Sequence, residues 1–206
     1  MKKKFSFIVI CLATIYANIA IASYVANEDY VVLDKPVKTV TGDKVEVREL
    51  FWYYCPHCFS VEPLVEQWLK KLPDSAVFIR QPAVFSARWK NGAIFYYVLE
   101  QLGEVDRLHG TLFDAIHLHQ TPFLDQEDFV DWLADHGVDK KRANDAFKSF
   151  SVRIKVNKSK LNTVKYKTSG VPTFVVNGKY WVDAKHAGGE KRLFKVVNYL
   201  IQKESQ

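Results

Sequence analysis

Two thiols three residues apart, Cys55 and Cys58, flank Pro56 and His57 where a β-branched and aromatic run gives way to a helical pattern. A pair at this spacing can close on itself as a redox disulfide or supply half of a tetrahedral zinc site. The zinc reading needs two further ligands. His117 and His119, two apart on a helix, point to different faces, and His109, His136 and His186 are isolated in the sequence. No metal is expected, and redox chemistry is the better reading. At the start of a helix Cys55 faces unpaired backbone N–H groups and the positive end of the helix dipole, while His57 adds a positive charge or a donor in the same turn. Each effect favours the thiolate. Cys58, about one turn further in, is expected to be covered by packing, so that substrate meets Cys55 first and Cys58 resolves the mixed disulfide. A stabilised thiolate stabilises the reduced protein and makes the disulfide a strong oxidant.

The elements that must hold this pair are readable from residue spacing. Val31-Val32-Leu33 is a short strand signal, and Val45 to Tyr54 is a longer one. Pro56 suits the first turn of the next helix, which runs to about Leu72 on an apolar stripe that includes Val65, Trp68 and Leu69. Pro63 is expected to kink it. Ala76 to Val84 reads as a second core strand, parallel to the first through a right-handed crossover. From Arg88 to about Val164 the period becomes helical: Ile94 to Leu102, Leu108 to Ile116, Phe129 to Leu133, and Phe147, Phe150, Val152, Ile154 and Val156 as one run. Asp125 and Gly137 are expected to cap the third of these helices. Thr173–Val176 and Lys179–Val182 form a hairpin about Asn177-Gly178, and Lys191–Gln202 closes the chain as an amphipathic helix.

The chain has 206 residues, 48% of them hydrophobic, with 29 Lys and Arg against 23 acids. Its start combines Lys2, Lys3 and Lys4, an apolar run from Phe5 to Ile21, and small residues at Ala20 and Ala22, the pattern of a secretory signal peptide cleaved after Ala22. Cleavage removes three lysines and no acid, so the net charge of +6 falls to +3. It also removes Cys11, leaving Cys55 and Cys58 as the only thiols. In an oxidising compartment this is no structural disulfide framework, and so short a loop staples little. The basic stretch that includes Lys140, Lys148, Lys158 and Lys167 reads as a solvated helix face, with no nucleic-acid partner expected.

Cys55-Pro56-His57-Cys58 after an aromatic strand, followed by Gly170-Val171-Pro172-Thr173 and Phe174-Val175-Val176-Asn177-Gly178-Lys179-Tyr180, resembles the DsbA family of periplasmic thiol–disulfide oxidases. The resemblance covers essentially the whole chain after residue 22. It implies an α/β chain with a thioredoxin fold and an inserted α-helical domain: residues 23–86 and 165–206 as the two thioredoxin-like parts, and residues 87–164 as the insertion. It implies a cis Val171–Pro172 peptide beside the dithiol, X-Pro being the one bond type where cis is cheap. Val171, Pro172 and Thr173 would then bind an extended substrate segment by strand addition. The resemblance also places a buried acid below the second cysteine, at Glu49, which interrupts the apolar row Val45, Val47 and Phe51. A charge in a core strand is costly unless paired, so Glu49, helped by Arg80 on the adjacent strand, is expected to shuttle the Cys58 proton. Glu62 matches another family acid. Cys55, Pro56, His57, Cys58 and Glu49 are thus the expected catalytic set, with no cofactor beyond the Cys55–Cys58 disulfide. The implied partners are reduced, folding exported proteins and a quinone-linked inner-membrane reoxidase of the DsbB type. The chain itself is expected to be a monomer or weak homodimer in the periplasm. Two rivals stay open: an isomerase or reductase resting as the dithiol, and a chaperone using exposed Tyr53, Tyr54 and Phe59.

Overall fold

A computed structural model describes residues 23–206, so the expected signal peptide and Cys11 lie outside the described residues. A five-stranded sheet has the order β1-β5-β4-β2-β3, formed by β1 (Val31–Val32), β2 (Val45–Phe51), β3 (Ala76–Pro82), β4 (Thr173–Val176) and β5 (Tyr180–Val182). All seven residues of β2 are buried, as suits a strand paired on both edges and covered on both faces. It runs parallel to β3 with Glu49 opposite Arg80, and antiparallel to β4 with Leu50 opposite Thr173. The connection from β2 to β3 is α1 (Pro56–Leu69), a helix that continues unbroken through Pro63. The β4–β5 hairpin turns through Asn177 and Gly178 at φ 50° and 62°, as the Asn-Gly pair predicts.

Between β3 and β4 the chain forms a short 3-10 helix (Ala87–Trp89) and five α-helices: α2 (Lys90–Leu102), α3 (Val105–His117), α4 (Gln126–Asp135), α5 (Lys140–Lys148) and α6 (Phe150–Lys165). After β5 come α7 (Ala184–Ala187) and α8 (Glu190–Glu204). Asp125 caps α4 by accepting from the Glu127 and Asp128 N–H groups, and Gly137 follows the helix end at φ 82°. One face of the sheet packs Val47, Phe174 and Val182 against Val61 and Val65 of α1 and Leu193 and Val197 of α8. A second core joins the five helices to the end of β2: Phe51, Tyr53 and Cys58 pack there with Phe95, Leu112, Phe113 and Phe129. The dithiol therefore sits at the seam between sheet and helical block.

Three expectations about elements are corrected. The strand from Val45 stops at Phe51, because Trp52, Tyr53 and Tyr54 form a turn that the Cys55 N–H closes on the Trp52 carbonyl at 3.0 Å. The apolar run from Phe147 to Val156 is two helices, divided at Ser149, whose backbone leaves the helical region and whose hydroxyl accepts from the Ser151 N–H. The helix expected to reach about Leu72 ends at Leu69. The four-residue α7, capped by Asp183, is too short to leave a periodic signal.

Candidate active site

Cys55 stands at the N-cap of α1 in extended geometry, with Pro56 opening the helix where its missing N–H is not needed. Its thiol is partly exposed and donates to the Val171 carbonyl at 3.5 Å. The Val171–Pro172 peptide is cis. Residue 171 precedes the β2–β4 ladder, which begins at Thr173, and the Thr173 hydroxyl donates to the Gly170 carbonyl at 2.8 Å, closing the turn. The structure thus brings residues from β4's leading turn and the start of α1, more than a hundred positions apart in sequence, to one sulfur.

The Cys55 pKa is lowered to about 6. A hydrogen bond from the Cys58 thiol is the leading cause; partial burial opposes it, and the Cys58 and His57 N–H groups and the His57 charge add to it. The Cys58 thiol, which the residue spacing does not point to as a contributor, therefore outweighs His57 and the helix end. Cys58 is fully buried, and burial, the hydrogen bond to Cys55 and the Cys55 charge push its thiol well above the ordinary range. One thiol holds an anion beside a second that holds its proton.

Beneath them lies a buried ionisable cluster. Glu49 has no exposed surface, and neither carboxylate oxygen has a hydrogen-bond partner. Burial, then the Glu62 charge, raises its pKa to about 8 against the pull of Arg80. Arg80 lies opposite Glu49 as expected, but its Nε is 3.7 Å away while its Nη2 donates to Glu62 at 2.6 Å and also to Glu66. A neutral Glu49 is what such an arrangement favours, since Arg80 spends its best donor elsewhere. Glu62 is buried and bound rather than a solvated helix residue. Burial alone would raise it, but His109 and Arg80 bring it below the ordinary carboxyl range.

His109, isolated in the sequence, and His117, whose spacing suggests at most a metal ligand, both bind Tyr53. Burial raises the Tyr53 phenol and lowers His109, so the hydroxyl donates to a neutral ring at Nδ1, at 2.8 Å. That leaves the His109 Nε2–H facing Glu62 at 3.6 Å, just past direct hydrogen-bond distance but close enough for its dipole to favour the carboxylate. His117 Nε2 donates to the Tyr53 carbonyl at 2.7 Å, and its ring stacks on Phe59 at 4.8 Å. One helix, α3, therefore grips both ends of the residue two before Cys55. His109, Phe113 and His117 recur every four residues along the apolar side of α3, and this was the legible signal. Tyr53 is buried, while Tyr54 and Phe59 pack partly into the helical core and stay partly exposed.

The DSBA-like thioredoxin domain model matches residues 46–188. The thiol:disulfide interchange protein DsbA of Pseudomonas aeruginosa is 38% identical over 196 residues, 95% of this chain and 93% of its own length. Its namesake from Azotobacter vinelandii is 38% identical over 193 residues, 94% and 90% of the two chains. A crystal structure of Pseudomonas aeruginosa DsbA superposes with a TM-score of 0.83 at 41% identity, covering 88% of this chain and 94% of that one. The oxidoreductase DsbA of Xylella fastidiosa gives a TM-score of 0.82 at 28% identity over 88% and 97%. With a paired dithiol at the head of α1, a helical block between β3 and β4, and these likenesses over most of its length, the chain belongs to the DSBA-like thioredoxin domain family.

Proposed function

We propose that this thiol:disulfide oxidoreductase works as an oxidase, donating the Cys55–Cys58 disulfide to reduced, folding proteins in the periplasm. The observation that carries the direction is the asymmetry of the two thiols: Cys55 is pulled down to about 6 while Cys58 is buried and pushed up. A substrate thiolate attacks the Cys55 sulfur, the S–S bond to Cys58 breaks, and Cys58 leaves with the electron pair. Cys58 cannot remain an anion in its buried site, so it takes a proton, and Glu49, still protonated at neutral pH, is the donor at hand. A second substrate thiolate then attacks the substrate sulfur of the mixed disulfide and expels Cys55 as a stabilised thiolate. The substrate gains a disulfide and the enzyme two electrons. Val171, Pro172 and Thr173 present the backbone beside Cys55 on which an extended substrate segment can lie. A quinone-linked inner-membrane partner of the DsbB type would remove the electrons and restore the disulfide.

The test is trapping. Cys58→Ser, which holds no internal disulfide, is expected to accumulate mixed disulfides formed when the Cys55 thiolate attacks a disulfide of an exported protein and releases the other client thiolate, with no Cys58 to resolve them, and Cys55→Ser to accumulate none. The wild-type pair should rest oxidised in the periplasm. A pair found resting as the dithiol there would contradict the oxidase reading in favour of an isomerase or reductase.

A further inference from the structure

Helix α6 buries two valines and two hydroxyl residues and turns larger apolar residues outward. Its buried side is Val152, Val156, Ser159 and Thr163. The Ser159 hydroxyl pairs with the Tyr97 hydroxyl at 2.6 Å, and the Thr163 hydroxyl accepts the Val84 N–H at 3.1 Å. Its solvent side carries Phe150, Ile154, Leu161 and Val164, which are 68%, 48%, 62% and 71% exposed. These four, with Asn157 between them, recur at alternating spacings of four and three residues, so they form one stripe about 21 Å long. Contiguous large apolar residues on a surface are informative in a way that scattered ones are not.

The stripe is flanked by cations on both sides, Arg153 and Lys160 along one edge and Lys158 and Lys165 along the other, all exposed, and α6 contains no acid. The ion pair that α6 makes among the described residues uses Lys155, with Glu100 on α2, and leaves those four to solvent. Where the helix ends, a hollow of about 510 Å³ continues the surface, lined by Leu33, Pro36 and Val164 together with Lys35, Lys38 and Lys165. The acid there, Asp34, is paired with Lys167.

We propose that this face is a docking surface for an anionic phospholipid membrane. The helix would lie in the interfacial plane, with Phe150, Ile154, Leu161 and Val164 entering between headgroups and the flanking cations meeting phosphates on either side. Charge decides against a second copy, because the stripe laid on itself would set Arg153, Lys158, Lys160 and Lys165 against their own kind. Shape decides against a partner helix. All four apolar residues stand on one helix and form a ridge, whereas helix capture uses a groove. With only four apolar side chains the docking would be weak and reversible, as suits a carrier that must also reach substrates. The inference does not rest on the exchange chemistry, and the loss of either leaves the other standing.

The test is flotation of the exported protein, its amino terminus read by mass spectrometry so that all variants are compared in the same processed form. The probes are vesicles of phosphatidylcholine alone and of phosphatidylcholine mixed with phosphatidylglycerol. The protein should float with the mixed vesicles at low salt, not with phosphatidylcholine, and the floating fraction should fall by about tenfold in Ile154→Asn/Leu161→Asn and in Lys158→Glu/Lys160→Glu. Far-ultraviolet circular dichroism and the rate of exchange with a reduced substrate should be unchanged in both, which separates lost docking from lost folding or chemistry. No flotation of wild type, or flotation that survives either double variant, would overturn the proposal. A wild-type dimer that Ile154→Asn/Leu161→Asn dissociates, or saturable binding of an acidic amphipathic peptide without vesicle binding, would overturn it in favour of a protein partner.

Discussion

At Glu49 a carboxyl group is buried beside Arg80 and Glu62 with both oxygens lacking a hydrogen-bond partner, and burial, then the Glu62 charge, raises its pKa to about 8. Folding therefore favours its protonated form. Its contribution is most favourable below the unfolded value of 4.5 and declines as pH rises through about 8. Glu49→Gln keeps the neutral shape and removes that decline, so the variant should gain thermal stability relative to wild type between about pH 5 and pH 9. Its disulfide transfer should slow, with a pH profile flatter around 8 than that of wild type. Equal rates and equal melting differences across the range would remove Glu49 from the mechanism. This acid was legible because a charge in the row Val45, Val47, Phe51 violates the pattern of a core strand. Its partners were less so: Arg80 could be placed beside it from the parallel pairing, but that Arg80 gives its stronger hydrogen bonds to Glu62 and Glu66 is a matter of side-chain reach that no spacing encodes.

At the scale of elements, α3 holds the turn that delivers Cys55. Phenylalanine at 117 would keep the stack on Phe59 but leave the Tyr53 carbonyl without its donor, so His117→Phe should cost about 1–3 kcal/mol. The same change should loosen the turn that sets the Cys55–Cys58 hydrogen bond, raising the Cys55 pKa and slowing exchange. Thermal melts and a thiolate titration of the variant check this, and wild-type values in both would make the contact incidental. The β4–β5 hairpin offers a second test. A Cβ on Gly178 would fall 1.9 Å from the Val37 carbonyl oxygen at a φ of 62°, so Gly178→Ala should lose more than about 1 kcal/mol with both strands displaced. An unchanged melting temperature would show that the turn yields freely. The hairpin could be read directly because Asn-Gly reports a local backbone need. The ends of β2 and α5 could not, since Trp52 and Tyr53 keep strand-like composition inside a turn and Phe150 continues an apolar period past a helix break. Only the closing hydrogen bond at Trp52 and the backbone of Ser149 separate those cases.

For the whole molecule, the dithiol sits where distant parts of the chain converge. Cys58 is packed with the helical block, while Cys55 faces the turn that leads into β4 from the far end of the sequence. The order of elements and the inserted helices were legible because each carries its own period. The convergence was not, except through resemblance, since no local pattern states that Val171 lies against Cys55. The depressed Cys55 pKa has a consequence for global stability. The stabilisation of the reduced protein is fully present above the ordinary thiol value of 9.0 and is lost as pH falls through about 6. Reduced protein should therefore melt above oxidised protein at neutral pH, by a margin that shrinks towards about pH 5. A margin that is absent at neutral pH, or that grows on acidification, would break the link between thiolate and fold. The most direct test is to follow the ultraviolet absorbance of the thiolate in the reduced wild-type protein as pH is raised. One thiolate should appear with a midpoint of about 6 and the other only far above the ordinary range, whereas two thiols ionising together near 9.0 would contradict the account.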